Sequence, residues 1–313
     1  MLERFTPQVI ESYDLMAREV MGILSQPTAM GVLDGKLASV REQRATLPQV
    51  ETRLEPVNSR TARELVKPVV EIVHKMGITE VRPSLRVYAA SDAFDQVCKD
   101  VLGRTLPIPA FQGERLKPLI SATVGTEAGG LFGRVVDLGL IHHPDSHMAS
   151  TSQILGHDLS VIYLSRPQYD LPSLFCVLAH EYVHALQLSS GHWYFKSDDE
   201  TLDNGNQILR EGDALAQESR FAQQFVNGAS GPEIVSAHLK RHENFISGAL
   251  QLINVFTLLE AGQLAFGINP LVFSPHALGA ALFAVAEAIC GPEIHKRIHR
   301  GDLGFLEELA KAV

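Results

Sequence analysis

The sequence predicts an α+β fold, mostly helical, in which a small mixed sheet packs on one central helix and a helical C-terminal half follows. Three observations predict it. Apolar residues recur at helical spacing over long stretches near both ends of the chain. Short alternating or β-branched runs gather in the middle, before Leu164. Beyond Asp203 only helical patterns and helix breakers remain. With 313 residues, 45% of them hydrophobic, the chain can bury a large core.

Taken in order, Pro7 to Leu24 reads as helix. A second helix runs from Thr61 to Met76, capped at Asn58-Ser59 and ended by Gly77. Pro83 to Ala89 alternates as a strand should, with Leu85, Val87 and Ala89 on one face. Asp92 to Leu102 is helical again, and Pro107-Ile108-Pro109 is a loop. Gly130 to Ile141 and Ser160 to Leu164 are further strands, separated by the turn-rich His142-His143-Pro144-Asp145-Ser146-His147. After Tyr169-Asp170-Leu171-Pro172 a long helix extends to about Leu188, followed by a polar loop from Ser189 to Asp203. Helices then run to the end, broken at Gly228 to Pro232, Asn269-Pro270 and Gly291-Pro292. The expected division is residues 1–190, carrying the sheet and the long helix, and residues 191–313, helical, with a cleft between them.

The formal net charge of −9 argues against nucleic acid as the main partner, because phosphate binding needs a basic surface. The one basic run, His295-Lys296-Arg297-Ile298-His299-Arg300, reads as a solvated helix end. Cys98, Cys176 and Cys290 are odd in number and far apart, which argues against a disulfide framework or a thiolate metal site. Cys176 reads as a small core residue. The N-terminal Met1 to Pro7 has no apolar signal core. The apolar stretches Phe245 to Ile268 and Ala277 to Cys290 are interrupted by polar groups or too short to span a bilayer. A cytoplasmic protein without a membrane span is expected.

The chemistry concentrates in His180-Glu181-Tyr182-Val183-His184. Two histidines four apart on a helix place both imidazoles on one face, within reach of one ion. Glu181 sits beside that face, where a base can take a proton from metal-bound water. The competing reading is a buried helix whose histidines bond to backbone or carboxylates. A third ligand is needed, and Glu211 in Leu209-Arg210-Glu211-Gly212-Asp213-Ala214 supplies it, 27 positions after His184. That separation accommodates a loop and a returning helix. Gly212 is costly in a helix interior unless two helices approach closely there. A surface glutamate paired with Arg210 or Arg220 is the alternative for Glu211, and Glu218 and Glu200 are the fallback ligands.

His-Glu-Tyr-Val-His-Ala-Leu-Gln from His180 to Gln187, then Asp203, then Glu211-Gly212-Asp213-Ala214, resembles the gluzincin metallopeptidases over about Ser160 to Arg220. The resemblance implies a gluzincin-like fold, Zn2+ held by His180, His184 and Glu211, and Glu181 as base and proton shuttle. The chain departs from the thermolysin-like form at Leu215, where an acidic residue would orient the first histidine. Asp203 and Asp213 are the candidate replacements. Similar proteins place an oxyanion donor in a Tyr-x-x-Gly setting at a late helix start. Here that setting reads Ser274-Pro275-His276-Ala277-Leu278-Gly279, making His276 the candidate donor, with Tyr194 and His192 as alternatives. The Gly125 to Ile141 strand would hold an extended substrate by its edge. A second metal site on His142, His143 and His147 is less favoured than a solvated turn.

The expected function is a zinc-dependent metallohydrolase, a peptidase whose metal-bound water attacks the amide carbonyl of a peptide or small amide with the help of Glu181. The alternatives are a metalloenzyme of the same motif acting on a non-peptide or biosynthetic substrate, including iron-dependent oxidation, and a non-catalytic protein of that fold.

Overall fold

A computed structural model describes residues 15–47, 53–102, 149–153, 159–190, 200–226, 231–260, 275–300 and 302–313. In chain order they form α1 (Leu15–Leu24), α2 (Pro27–Thr46), β1 (Leu54–Pro56), α3 (Ser59–Lys75), β2 (Ser84–Ala89), α4 (Ala93–Leu102), β3 (Ala149–Gln153), β4 (Leu159–Leu164) and β5 (Gln168–Asp170). There follow α5 (Leu171–Ser190), α6 (Glu200–Gln223), α7 (Gly231–Glu260), α8 (Pro275–Cys290), α9 (Ile294–His299) and α10 (Phe305–Ala312). The architecture is α+β and mostly helical, with small mixed sheets. It divides into two compact units, residues 50–190 and residues 1–49 with 191–313.

In the first unit β4 is the centre of a three-stranded sheet of order β2-β4-β3. Its Val161, Ile162 and Leu164 are fully buried, as a β-branched run covered on both faces should be. β2 runs parallel to β4 with Val87 opposite Ile162, and β3 runs antiparallel with Thr151 opposite Ile162. β1 and β5 form a separate antiparallel pair. α3 begins where Asn58 accepts a hydrogen bond from the Thr61 amide at 2.9 Å, and it buries Ala62, Val66, Val69 and Val73. Gly77 follows with φ +68, the left-handed conformation that closes a helix and favours glycine. Ser59 fastens α3 to β2: its hydroxyl donates to Asp92 at 2.6 Å and accepts from the Ala89 amide at 2.9 Å. α5 starts at Asp170, whose carboxylate accepts from the Ser173 amide and hydroxyl, and it packs against β3, β4, β5 and α3. The expected strand at Gly130 to Ile141 and the histidine loop at 142–147 lie outside the described residues. β3, a polar Ala-Ser-Thr-Ser-Gln run, carries no alternation of its own. Pairing with β4 makes it a strand.

The second unit is helical. α8 is its centre, buried over Ala277 to Phe283 and again at Val285 and Ala286. A helix apolar nearly all round must be surrounded, and α2, α6, α7 and α10 all pack on it. α2, which the sequence reading did not anticipate, contributes a narrow stripe of Ala29, Leu33, Leu37 and Val40 on an otherwise exposed helix. The break at Gly291 is a left-handed residue, φ +84, at the end of α8. The basic run is not uniformly solvated. Lys296 is exposed and pairs with Glu293, but His295 is 2% exposed and Ile298 is buried, because α9 turns that face into the core. Among the described residues no helix is long and apolar enough to cross a membrane.

Candidate metal centre

The motif helix α5 is buried on all sides. Val177, Leu178, Ala179, Val183, Ala185 and Leu186 are at most 2% exposed. Its His180, Glu181 and His184 are also buried. Tyr182 fixes the helix rotation. Its ring is 1% exposed, and its hydroxyl lies 2.7 Å from His74 Nε2 on α3. Burial pushes the Tyr182 pKa up to about 12 and holds that of His74 below its ordinary value, so the phenol stays protonated and donates to a neutral imidazole.

The geometry follows from the four-residue spacing. His180 Nε2 and His184 Nε2 are 3.0 Å apart, with their rings nearly perpendicular at 88°. Two nitrogens each about 2.0–2.1 Å from one tetrahedral ion lie about 3.3 Å apart, so the observed pair needs only a few tenths of an ångström to accept one. His184 Nδ1 is 2.8 Å from Gln187 Oε1. An amide oxygen there accepts from Nδ1–H and leaves the Nε2 lone pair to a ligand. Gln187 is fully buried and one turn on from His184, the neighbour relation that three-residue spacing gives. The buried His180–His184 pair can therefore hold a metal ion.

Glu181 is positioned from the sheet. Thr151 Oγ1 on β3 lies 2.7 Å from Glu181 Oε2 and 2.9 Å from the Glu181 backbone oxygen. Its single proton can serve either acceptor. Among the described residues β3 is at one edge of its sheet, beside the motif helix. Gln187 closes the motif that carries the resemblance, but the sequence alone assigned it no role, and Thr151 did not stand out.

In the helical unit Glu211 lies on α6, and His276 on the first turn of α8 brings Nε2 to 3.0 Å from Glu211 Oε2. The His276 ring stacks on Phe245, centroids 5.6 Å apart. The expected oxyanion donor is thus bonded to the expected third ligand. Two glycines make that meeting possible. An added Cβ on Gly212 would lie 2.6 Å from the Gly279 oxygen, and one on Gly279 would lie 2.5 Å from the Gly212 nitrogen. Helices α6 and α8 cross here with backbone against backbone.

The other acidic candidates are engaged elsewhere within this unit. Leu215 is 1% exposed and belongs to the apolar core. Asp213 Oδ1 lies 3.0 Å from His295 Nδ1, whose Nε2 lies 2.6 Å from Glu287. Burial disfavours the His295 cation, but the two carboxylates outweigh it and hold its pKa above the ordinary value. Glu218 is fully buried, 3.0 Å from His238 Nδ1 and 3.2 Å from Arg241. The side chains of Glu200 and Asp203 on α6 lie outside those described, as do His192 and Tyr194. Cys176 is buried and Cys290 half-buried, and neither is in a disulfide among the described residues.

No protein-family model, curated protein or solved structure matches this chain.

Proposed function

We propose that this chain is a zinc-dependent metallohydrolase, a peptidase in the first instance, of gluzincin type. The observation that carries the reading is the pair of buried imidazole nitrogens 3.0 Å apart with Glu181 at the next position, its carboxylate held by Thr151. The resemblance supplies Glu211 as the third ligand, and two imidazoles with one carboxylate would leave a fourth tetrahedral position for substrate or water. Gln187 fixes the tautomer of His184, and His276 orients Glu211.

Zinc, when bound, supplies Lewis-acid polarisation of a carbonyl and lowers the pKa of water. The protein supplies the proton path. Glu181, fixed at Oε2 by Thr151, takes a proton from the attacking water on its other oxygen and passes it to the departing amine. Among the described residues β3 is an edge strand beside Glu181, and such an edge would offer backbone groups to an extended peptide.

The same donor set also suits iron, so metal analysis comes first. The purified chain is expected to carry zinc, and His184→Ala to lose it. Glu181→Gln is expected to retain the metal and to lose turnover on a peptide library by roughly 10²–10⁴-fold. A fully active Glu181→Gln variant would falsify the proton role. A chain that binds no metal would return the motif to a buried structural helix. Bound iron with no peptide cleavage would favour the biosynthetic alternative.

A further inference from the structure

Within the helical unit, α2, α6, α7 and α8 surround a cavity of about 240 Å³. The apolar part of its lining is Leu215, Ala216, Ala280, Phe283 and Ala284. The polar part of the lining includes Lys36, Arg220, Glu287 and His242. His242 is the unusual member. It is 7% exposed, and among the described residues neither of its ring nitrogens has a hydrogen-bond partner. Buried polar atoms are nearly always paired, and an orphaned pair on a cavity wall marks a place where a ligand completes the bonding.

Three features define what would fit. Lys36 and Arg220 are two cations against Glu287, and Glu287 already bonds His295. A single negative charge restores balance, and a metal cation is opposed. Among the described residues the group that could hold a metal does not include His242. The His242 ring is neutral near pH 7, since burial, with help from His238 and Lys36, pushes its pKa down to about 3. A neutral imidazole offers one N–H donor and one lone pair, so the ligand needs both an acceptor and a donor. A volume equal to about eight waters in the liquid limits it to a small molecule.

We infer that this cavity binds a small monocarboxylate carrying a neighbouring hydroxyl or amino group. The carboxylate lies toward Lys36 and Arg220, the donor meets the free nitrogen of His242, and a short apolar body lies on Phe283 and Ala280. This site is independent of the proposed hydrolysis, and binding is read without turnover.

Calorimetric titration of the full chain with 2-hydroxy-4-methylpentanoate, leucine, 4-methylpentanoate and 4-methylpentanamide tests it. Saturable binding of the hydroxy acid or the amino acid is expected, with 4-methylpentanoate weaker and the neutral amide weakest. Lys36→Gln, at an exposed position and therefore safe for folding, should weaken binding by roughly tenfold or more. His242→Phe should abolish it. Binding of neither donor-bearing acid overturns the inference. So does an amide that binds as well as the acids, or binding unchanged in both variants. Equal binding of 4-methylpentanoate would overturn the donor requirement.

Discussion

Replacing Gly212 by alanine tests the crossing of α6 and α8, where a glycine on each helix meets the backbone of the other. The new methyl carbon would lie 2.6 Å from the Gly279 carbonyl oxygen and 2.8 Å from Phe283 Cε2. The Phe283 ring can rotate, but the oxygen belongs to the backbone of α8, so α6 and α8 must separate by about 0.5 Å or more to restore ordinary contact. Overpacking of this kind costs roughly 1–3 kcal/mol. Alanine regains up to about 1 kcal/mol of helix propensity, which leaves a net destabilisation on the order of 1–2 kcal/mol. Urea unfolding followed by far-UV circular dichroism reads the effect. With a slope of about 3 kcal/mol per M, the midpoint falls by roughly 0.3–0.7 M. Gly31→Ala and Gly35→Ala on α2 are the controls, since an added Cβ meets nothing within 4 Å at either position. Both should raise the midpoint by propensity alone. Gly279→Ala, which meets the Gly212 nitrogen and the Ile208 oxygen at 2.5 Å each, should cost at least as much as Gly212→Ala. If Gly212→Ala stabilises the protein as the α2 controls do, the backbone crossing, and with it the account of how Glu211 and His276 meet, is wrong.

On the proposed hydrolase reading, Thr151→Val removes the hydroxyl at Glu181 Oε2 and should lower turnover roughly 10-fold or more while leaving metal content unchanged; an unaltered kcat with normal metal would refute its positioning role. On the same reading, Gln187→Leu should weaken metal affinity by roughly 10–100-fold, measured by competition with a chelator, because His184 loses the acceptor that holds its Nδ1–H. His242 has its pKa lowered from 6.5 to about 3, chiefly by burial, so between those values the unfolded chain binds a proton that the folded chain excludes. Its contribution to stability is whole above about pH 6.5 and is lost as pH falls toward 3. From pH 7 to pH 5 that loss is about 2 kcal/mol, and His242→Phe should lack it when the two pH–stability curves are compared.

The local features were legible where short-range chemistry decides them. Asn58 caps α3, Gly77 ends it, Leu85 to Ala89 and Val161 to Leu164 become strands, and His180 and His184 share one helix face because four residues make about one turn. Gly212 read correctly as a point of close helix approach for the same reason, since a glycine there is otherwise only a cost. Gln187 was legible in principle, three residues from His184, but a buried amide announces nothing until its oxygen faces the imidazole. Thr151 was not. It lies 30 residues from Glu181, on a polar segment that becomes a strand only because β4 pairs with it. Nor did the sequence assign Asp213 and Glu218 their partners, since His295 and His238 reach them from other helices. What the sequence by itself determined is the motif helix and the ligand types it presents, because periodicity and side-chain chemistry are properties of a few adjacent residues. The tertiary structure alone decided which carboxylate pairs with which histidine, that α2 packs with the C-terminal helices, and that His276 bonds Glu211, because those contacts depend on how distant helices cross.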